Sequence, residues 1–452
     1  MRQINRAWVA EARTLAGVSL PVTGTMFAQL AISAVETLAV ARLGVHVLAG
    51  VTLALSVYFL VFLFALGVVT AITPIVAQAR GRGDTEGVRR SGQQGLWVGL
   101  TFAVPGIALL VGCGSLIELA FGKGLEADSA SDYLLGAAWG LPAWVCYVAV
   151  RSLAVATGRV RVTTVIMLAS VPVHAGLTWW LVFGGLGLPP LGALGAGIAY
   201  SLTAFGGWAL LAAIVQTSPL DAFGSVFRRP FVWDGERYRE IIRLGLPFAC
   251  RIVLREGVLP AAAFVIAPYG AAAVAAHAVA ARVIELAGVF SFGFSDAANM
   301  RVSFALGAGT PHRAEHSGWV AIQLATVVNA LIAAALLTAP TLVASWVLGD
   351  GDPAGVAAAA TLLPVAGCLL FLEGVQSAAG GALSGMRDAT GPLLIAIIGS
   401  WAVGIPLGIL LAWMTATPVL GLWGGLVVGG CLTTLLYLIR FRQRISQPQR
   451  KM

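Results

Sequence analysis

Apolar residues run along this chain in long blocks, parted by short polar stretches and by clusters of glycine and proline. A block of roughly 18 or more apolar residues is long enough to cross a hydrocarbon core of about 30 Å as a helix. Cutting the chain on that rule predicts twelve membrane-spanning helices, at 15–41, 47–78, 92–114, 133–156, 162–184, 191–215, 241–268, 271–305, 316–348, 357–385, 391–413 and 418–440. Several exceed what a perpendicular helix needs, so they tilt, bend or protrude.

The polar stretches between the blocks orient them. Arginines collect before the first block (Arg2, Arg6, Arg13) and after every even-numbered one, from Arg80, Arg82, Arg89 and Arg90 to Arg440, Arg442 and Arg444. The odd-numbered connections hold few charges, among them the acidic set Glu118, Glu126, Asp128 and Asp132. Because basic loops stay on the cytoplasmic side, both termini are expected in the cytoplasm. The basic amphipathic lead MRQINRAWVAEAR reads as retained rather than cleaved.

The longest connection, 216–240, is polar and basic and separates six spans from six. LAGVSLP at Leu15–Pro21 returns as IIRLGLP at Ile241–Pro247. An even number of spans per half makes the repeats parallel, a transporter arrangement with its site between the halves. The expected fold is an all-α integral membrane protein of two pseudo-symmetric six-helix lobes. They span 1–215 and 241–440, with a cytoplasmic linker at 216–240 and a basic tail at 441–452.

Composition narrows the class. With 58% hydrophobic and 11% charged residues the chain departs far from the charge content of a soluble domain. The net charge of +8 is carried by loops, where it sets topology and meets anionic lipid, so no nucleic-acid partner is expected. Five cysteines, Cys113, Cys146, Cys250, Cys368 and Cys431, lie scattered in apolar segments and read as packing residues, not as a metal site or a disulfide framework. Trp139, Trp144, Trp179, Trp180, Trp346 and Trp423 are read as lying near predicted interfaces, and most of the tryptophans are expected to be interfacial anchors.

Against this background the ionisable residues inside spans are the candidates for chemistry. The first span holds one acid, Glu36, and one amide, Gln29, two helical turns apart and so on one face. The C-terminal half is richer: Arg251, Arg255 and Glu256 in span seven, Arg282, Glu285 and Asp296 in span eight, and Glu373 in span ten. Arginines at membrane depth are costly unless paired, so these are expected to pair with the neighbouring acids. Pro21, Pro247 and Pro260 each remove a helical hydrogen bond and are candidate hinges.

Several stretches together resemble the multidrug and toxic compound extrusion (MATE) family, in its NorM-like branch. They are TPIVAQARGRGD at Thr73–Asp84, QQGL at Gln93–Leu96, RSLAVATG at Arg151–Gly158, RLGLPFA at Arg243–Ala249, APYGAAAVAAHAVA at Ala267–Ala280, MRVSFALGAG at Met300–Gly309 and EGVQSAAGGALSGMRD at Glu373–Asp388. The resemblance implies two lobes in a V around a central cavity, and a cation gradient that drives export of mostly cationic, amphipathic cargo. It places the family's first-span acid on Glu36, its tenth-span acid on Glu373, and its fifth-span polar pair on His174 and Thr178. Where the NorM pattern has a seventh-span glutamate, this chain has Arg255, with Glu256 beside it. Where the pattern has a tyrosine one turn before the tenth-span acid, it has Leu369.

The expectation is therefore an antiporter that exchanges protons for organic cations or other amphipathic compounds. Glu36 carries the coupling proton, flanked by Gln29, His174 and Thr178, and Arg255 pairs with Glu373 where relatives hold an ion. Alternatives are sodium coupling, or a flippase for a lipid-linked or endogenous metabolite. An intramembrane enzyme finds no paired-carboxylate, HExxH or Ser/His motif in the sequence. No cofactor is expected beyond H⁺ or Na⁺ as coupling ion. The partners are the small-molecule cargo and the bilayer of the inner membrane, with the protein a monomer.

Overall fold

The structure is a computed structural model that describes residues 2–121, 124–185, 187–217, 225–228, 232–349 and 353–446. Parts of the expected linker (218–224 and 229–231) and of the tail (447–452) lie outside the described residues.

Helices account for nearly all described residues. In chain order they are α1 (Arg2–Ala41), α2 (Val45–Val69), α3 (Ile72–Gly81), α4 (Thr85–Phe121), α5 (Leu125–Ala138), α6 (Leu141–Thr157), α7 (Val160–Phe183) and α8 (Gly192–Thr217). The short α9 (Ser225–Arg228) precedes α10 (Gly235–Ile266), α11 (Ala271–Gly307), α12 (Pro311–Thr338), α13 (Pro340–Leu348) and α14 (Pro353–Gly385). Then come α15 (Thr390–Ala396), a π-helical segment (Ile397–Gly404), α16 (Ile405–Met414) and α17 (Pro418–Ser446).

Local chemistry explains the breaks. Ala339 precedes Pro340, and the proline ring disfavours helical backbone at the residue before it; φ −135° and ψ 50° at Ala339 end α12. Gly158 takes the left-handed φ of 77° that stops α6.

Ten helices or near-continuous helical runs are long and apolar enough to cross a membrane, and α5 with α6, bent by 49°, forms an eleventh. This differs from the twelve expected, and the reason lies in α10. Its 32 residues suffice for a crossing, but it carries Arg237, Arg239, Arg243, Arg251, Arg255 and several glutamates, so it does not count as apolar. Apolar side chains such as Leu119, Phe264 and Trp346 are more than four-fifths exposed, as suits surfaces that meet lipid tails.

The chain forms two compact units. The first is Gly24–Cys250; the second joins Met1–Thr23 to Arg251–Met452. The boundaries thus fall inside α1 and α10, just after Pro21 and Pro247, whereas the connection after α8 belongs to the first unit.

In the first unit α5 packs on α8, α2 and α4, and α7 packs on α8. The connection before α10 is fastened to α4: Gln93 and Gln94, both fully buried, donate to the carbonyls of Val226 (2.9 Å) and Val232 (2.7 Å), and Trp97 meets Trp233 edge-on. The QQGL stretch is therefore a clamp for that connection.

In the second unit α14 is central, packed against α11, α12 and α17. Gly381 makes this possible, since a Cβ there would stand 2.2 Å from the Ser295 carbonyl oxygen on α11. The N-terminal part of α1 is tied to the same unit. Glu11 receives both Arg301 (2.6 and 2.7 Å) and Ser317 (2.7 Å), and Trp8 donates to Gln323 at 2.7 Å.

Two expectations are corrected by burial. Trp144 and Trp423 are 4% and 0% exposed, core residues rather than interfacial anchors. Of the cysteines only Cys146 is buried, while Cys250, Cys368 and Cys431 are exposed; all five are free thiols.

Candidate functional site: a tyrosine-ringed glutamate and an arginine recess

The first unit holds Glu36 with no exposed surface. Two glycines set its surroundings. A Cβ on Gly197 of α8 would lie 2.3 Å from the Tyr133 carbonyl oxygen on α5, and one on Gly136 would lie 2.7 Å from that of Leu194, so α5 and α8 touch backbone to backbone. Tyr133 sits three residues, about one turn, before Gly136, and Tyr200 three after Gly197. The Tyr133 hydroxyl donates to Glu36 Oε1 at 2.9 Å. Tyr200 meets Tyr58 of α2 edge-on (5.2 Å between ring centroids), Trp144 (5.6 Å) and His174 (6.2 Å). Three buried polar atoms in this cluster, Glu36 Oε2, the Tyr58 hydroxyl and Trp144 Nε1, have no hydrogen-bond partner among the described residues.

His174 and Thr178, both fully buried on α7, form a chain with α8. The Thr203 hydroxyl gives its one proton to the Ala199 carbonyl at 2.7 Å, so it accepts from His174 Nδ1 at 2.9 Å. Nε2 is then the acceptor for the Thr178 hydroxyl at 3.3 Å. A neutral ring with its proton on Nδ1 satisfies every group in the chain, and no carboxylate is among its partners. Gln29 is half-buried and joins none of these bonds. Two turns of helix are about 11 Å, so residues that share a face at that spacing do not touch.

The second unit gathers the C-terminal charges. Arg255 donates through Nε and Nη2 to Glu256 Oε1 (3.1 and 2.9 Å) and through Nη1 to Ser377 (3.0 Å). Glu373 stands 3.6 Å from Nη2, an ion pair beyond hydrogen-bond length. Arg282 and Glu285 pair at 2.7 Å on α11, apart from Arg255, and Asp296 is half-buried farther along the same helix. Leu369, in place of the NorM tyrosine, packs against the apolar core of this unit.

Beside Arg255 lies a recess of about 30 Å³ lined by Arg251, Gln376, Ser377, Ser400, Trp401 and Tyr437 among others. Its wall includes the π-helical segment, a geometry frequent at functional sites. Trp401 of that segment donates to the Leu254 carbonyl at 3.0 Å, which fixes the indole against α10.

His277, the other buried histidine of a span, is a packing residue. Trp423 donates to its Nδ1 at 3.2 Å and its Nε2 bonds the Leu259 carbonyl at 3.1 Å, which accounts for both nitrogens. Pro260 follows Leu259 within α10.

Glu36, His174, Thr178 and the Arg255–Glu373 pair are named from the sequence; Tyr58, Tyr133, Tyr200 and Thr203, which the structure brings to the same cluster, are not among those candidates. One signal was present: of the seven tyrosines in the chain, five fall within apolar or small-residue stretches of different helices, Tyr58, Tyr133 and Tyr200 among them.

Comparison with known proteins agrees with this architecture. The MatE family profile matches residues 21–180 and 257–410. A relative from Mesorhizobium japonicum, "Probable multidrug resistance protein NorM", is 31% identical over 98% of this chain and 96% of its own. One of the same name from Rhodopseudomonas palustris is 35% identical over 97% and 93%. Among solved structures, the eukaryotic MATE transporter AtDTX14 superposes with a TM-score of 0.84 over 97% of this chain and 98% of that one. An outward-facing multidrug resistance MATE transporter gives 0.88 over 98% and 97%. Both are 19% identical and establish the fold. With the profile covering most of both halves and relatives above 30% identity along nearly the whole length, the chain is a multi-pass membrane protein that belongs to the MATE family.

Proposed function

We propose that this protein is a proton-coupled exporter of amphipathic small molecules in the cytoplasmic membrane, with both termini in the cytoplasm. Its curated relatives carry the name of multidrug resistance proteins, which supports the export of drug-like compounds.

The observation that carries the coupling ion is the state of Glu36: no exposed surface, one hydrogen bond from Tyr133, and a second oxygen without a partner among the described residues. A carboxylate so placed is charged in apolar surroundings with half its acceptor capacity unmet, whereas the protonated acid is neutral. When water reaches the group, hydration favours the ionised form. Alternation between dry and wet environments therefore takes up and releases one proton per cycle. Sodium, a hard cation, calls for several oxygen ligands. The one side chain bonded to Glu36 among the described residues is the Tyr133 phenol, which points its proton at the acid and so acts there as a donor, not as a cation ligand.

Arg255 supplies the complementary argument in the other unit. Its guanidinium stands as a permanent cation beside Glu256 and Glu373, which leaves coupling to Glu36.

The experiment is efflux of a fluorescent organic cation from proteoliposomes under separately imposed proton and sodium gradients. Efflux driven by protons and lost in Glu36→Gln supports the reading; efflux driven by sodium alone refutes it.

A further inference from the structure

The recess beside Arg255 contains no acidic residue, yet two glutamates stand at its edge. Arg255 separates these two environments. Its Nε and Nη2 face Glu256 and Glu373, and its Nη1 faces Ser377. A guanidinium has five N–H groups, so one on Nη1 stays available after the bond to Ser377. Ser377, 3% exposed, accepts from Arg255 and keeps its own hydroxyl proton to donate. Ser400, on the π-helical segment, lines the same recess, and its hydroxyl has no hydrogen-bond partner among the described residues. Of the other polar walls, Tyr437 donates to the Pro392 carbonyl, Thr433 to Gly429, Trp401 to Leu254 and Gln376 to Gly430 and Thr434, while Arg251 lines the recess as a second guanidinium.

The recess thus offers donors beside two fixed positive charges, Arg255 and Arg251, of which Arg255 is the one bonded to Ser377. Its volume of about 30 Å³ holds a group the size of two waters, which is the size of a carboxylate and far less than a drug-sized body. The adjoining rim offers carboxylate acceptors, Glu256 and Glu373, that are 40% and 21% exposed.

We propose that this unit binds amphipathic zwitterions: the ligand carboxylate enters the recess against Arg255, Ser377 and Ser400, and the ligand cation rests at Glu256 and Glu373. A ligand with both charges uses both surfaces. A simple cation uses only the rim, where it competes with Arg255 for the same two acids. The proposal rests on the export reading for its physiological sense, but its test is equilibrium binding without any gradient, so loss of proton-driven efflux leaves it standing.

The probes are rhodamine 110 and its methyl ester rhodamine 123, which share one xanthylium body and differ in the free carboxylate. Fluorescence anisotropy with the purified full-length protein is expected to show rhodamine 110 bound about tenfold more tightly, the effect of one charge-assisted hydrogen-bond set. In Arg255→Gln that preference disappears, with the affinity for rhodamine 123 kept or raised. Arg255→Lys retains part of it, since charge survives but the planar fork does not. Ser400→Ala lowers affinity for rhodamine 110 alone, and it serves as the second variant where Arg255→Gln fails to fold. Equal binding of the two dyes by the wild type, or tighter binding of the ester, overturns the proposal. So does an equal loss of both dyes in a folded Arg255→Gln protein.

Discussion

The hydroxyl of Tyr133 reaches Glu36 Oε1 at 2.9 Å and is the one hydrogen bond this buried acid receives from the described residues. The two lie on different helices, α5 and α1, and α5 holds its place by direct backbone contact with α8. If Glu36 carries the proton, Tyr133 positions it. Tyr133→Phe removes the hydroxyl and little volume, and leaves both oxygens of Glu36 without a donor. A hydrogen bond to a chargeable group is worth about 1.5 to 3 kcal/mol, so the initial rate of proton-driven efflux is expected to fall by about tenfold or more. An unchanged rate removes Tyr133 from the account.

The glycine contact that delivers Tyr133 is testable by stability alone. Gly197→Ala places a methyl 2.3 Å from the Tyr133 carbonyl oxygen, where backbone, not a yielding side-chain end, must move. Overpacking of this kind costs about 1 to 3 kcal/mol, which a lowered melting temperature in detergent reports. Gly112→Ala, where nothing stands within 4 Å of the added methyl, is the control with no such cost.

Much of this molecule was legible in the sequence, and what was not has a physical reason. Apolar block length marked most of the spans, and α10 shows how charge and length can disagree: of its arginines, Arg255 pairs with Glu256 and Glu373, and Arg237 with Glu240. Glu36 stood out because nothing else in its span is charged. Its partners did not, because periodicity tells which face of a helix a residue occupies but not which helix lies opposite. Gln29 was chosen for sharing a face with Glu36, yet the contact came from Tyr133, distant in sequence by 97 residues. Arg255 was expected to pair with Glu373, and it does at 3.6 Å, but its closer bond is to adjacent Glu256 at 2.9 Å. The compact units likewise divide inside α1 and α10 and not in the polar 216–240 connection, which Gln93 and Gln94 hold to α4.

Asp388 gives a pH prediction outside the spans. Its side chain is 1% exposed and accepts from Arg440 Nε at 2.6 Å, Arg440 Nη2 at 3.0 Å and Arg444 Nε at 3.1 Å. Burial raises its proton affinity, but the bonds and charges of the two arginines outweigh that and hold its carboxyl below the ordinary 3.8. A group lowered on folding stabilises the fold above its unfolded value, and that stabilisation fades as pH falls toward the folded one. Melting in detergent should therefore drop below about pH 4 more steeply in the wild type than in Asp388→Asn, which is less stable at pH 7. Parallel curves would contradict this.

Glu373 separates the two units functionally. With Arg255 as its permanent neighbour, Glu373→Gln should leave the dependence of efflux on the proton gradient intact while it changes the affinity for cargo. Kinetics at several cargo concentrations distinguish a raised KM from a lost response to ΔpH.

The central claim, that Glu36 carries the coupling proton, is tested most directly by efflux from proteoliposomes with wild type and Glu36→Gln side by side, under a proton gradient alone and a sodium gradient alone. The account predicts efflux in the wild type under the proton gradient, none above the leak under sodium, and none in Glu36→Gln under either. Proton-driven efflux that persists in Glu36→Gln, or transport driven by sodium alone, would contradict it.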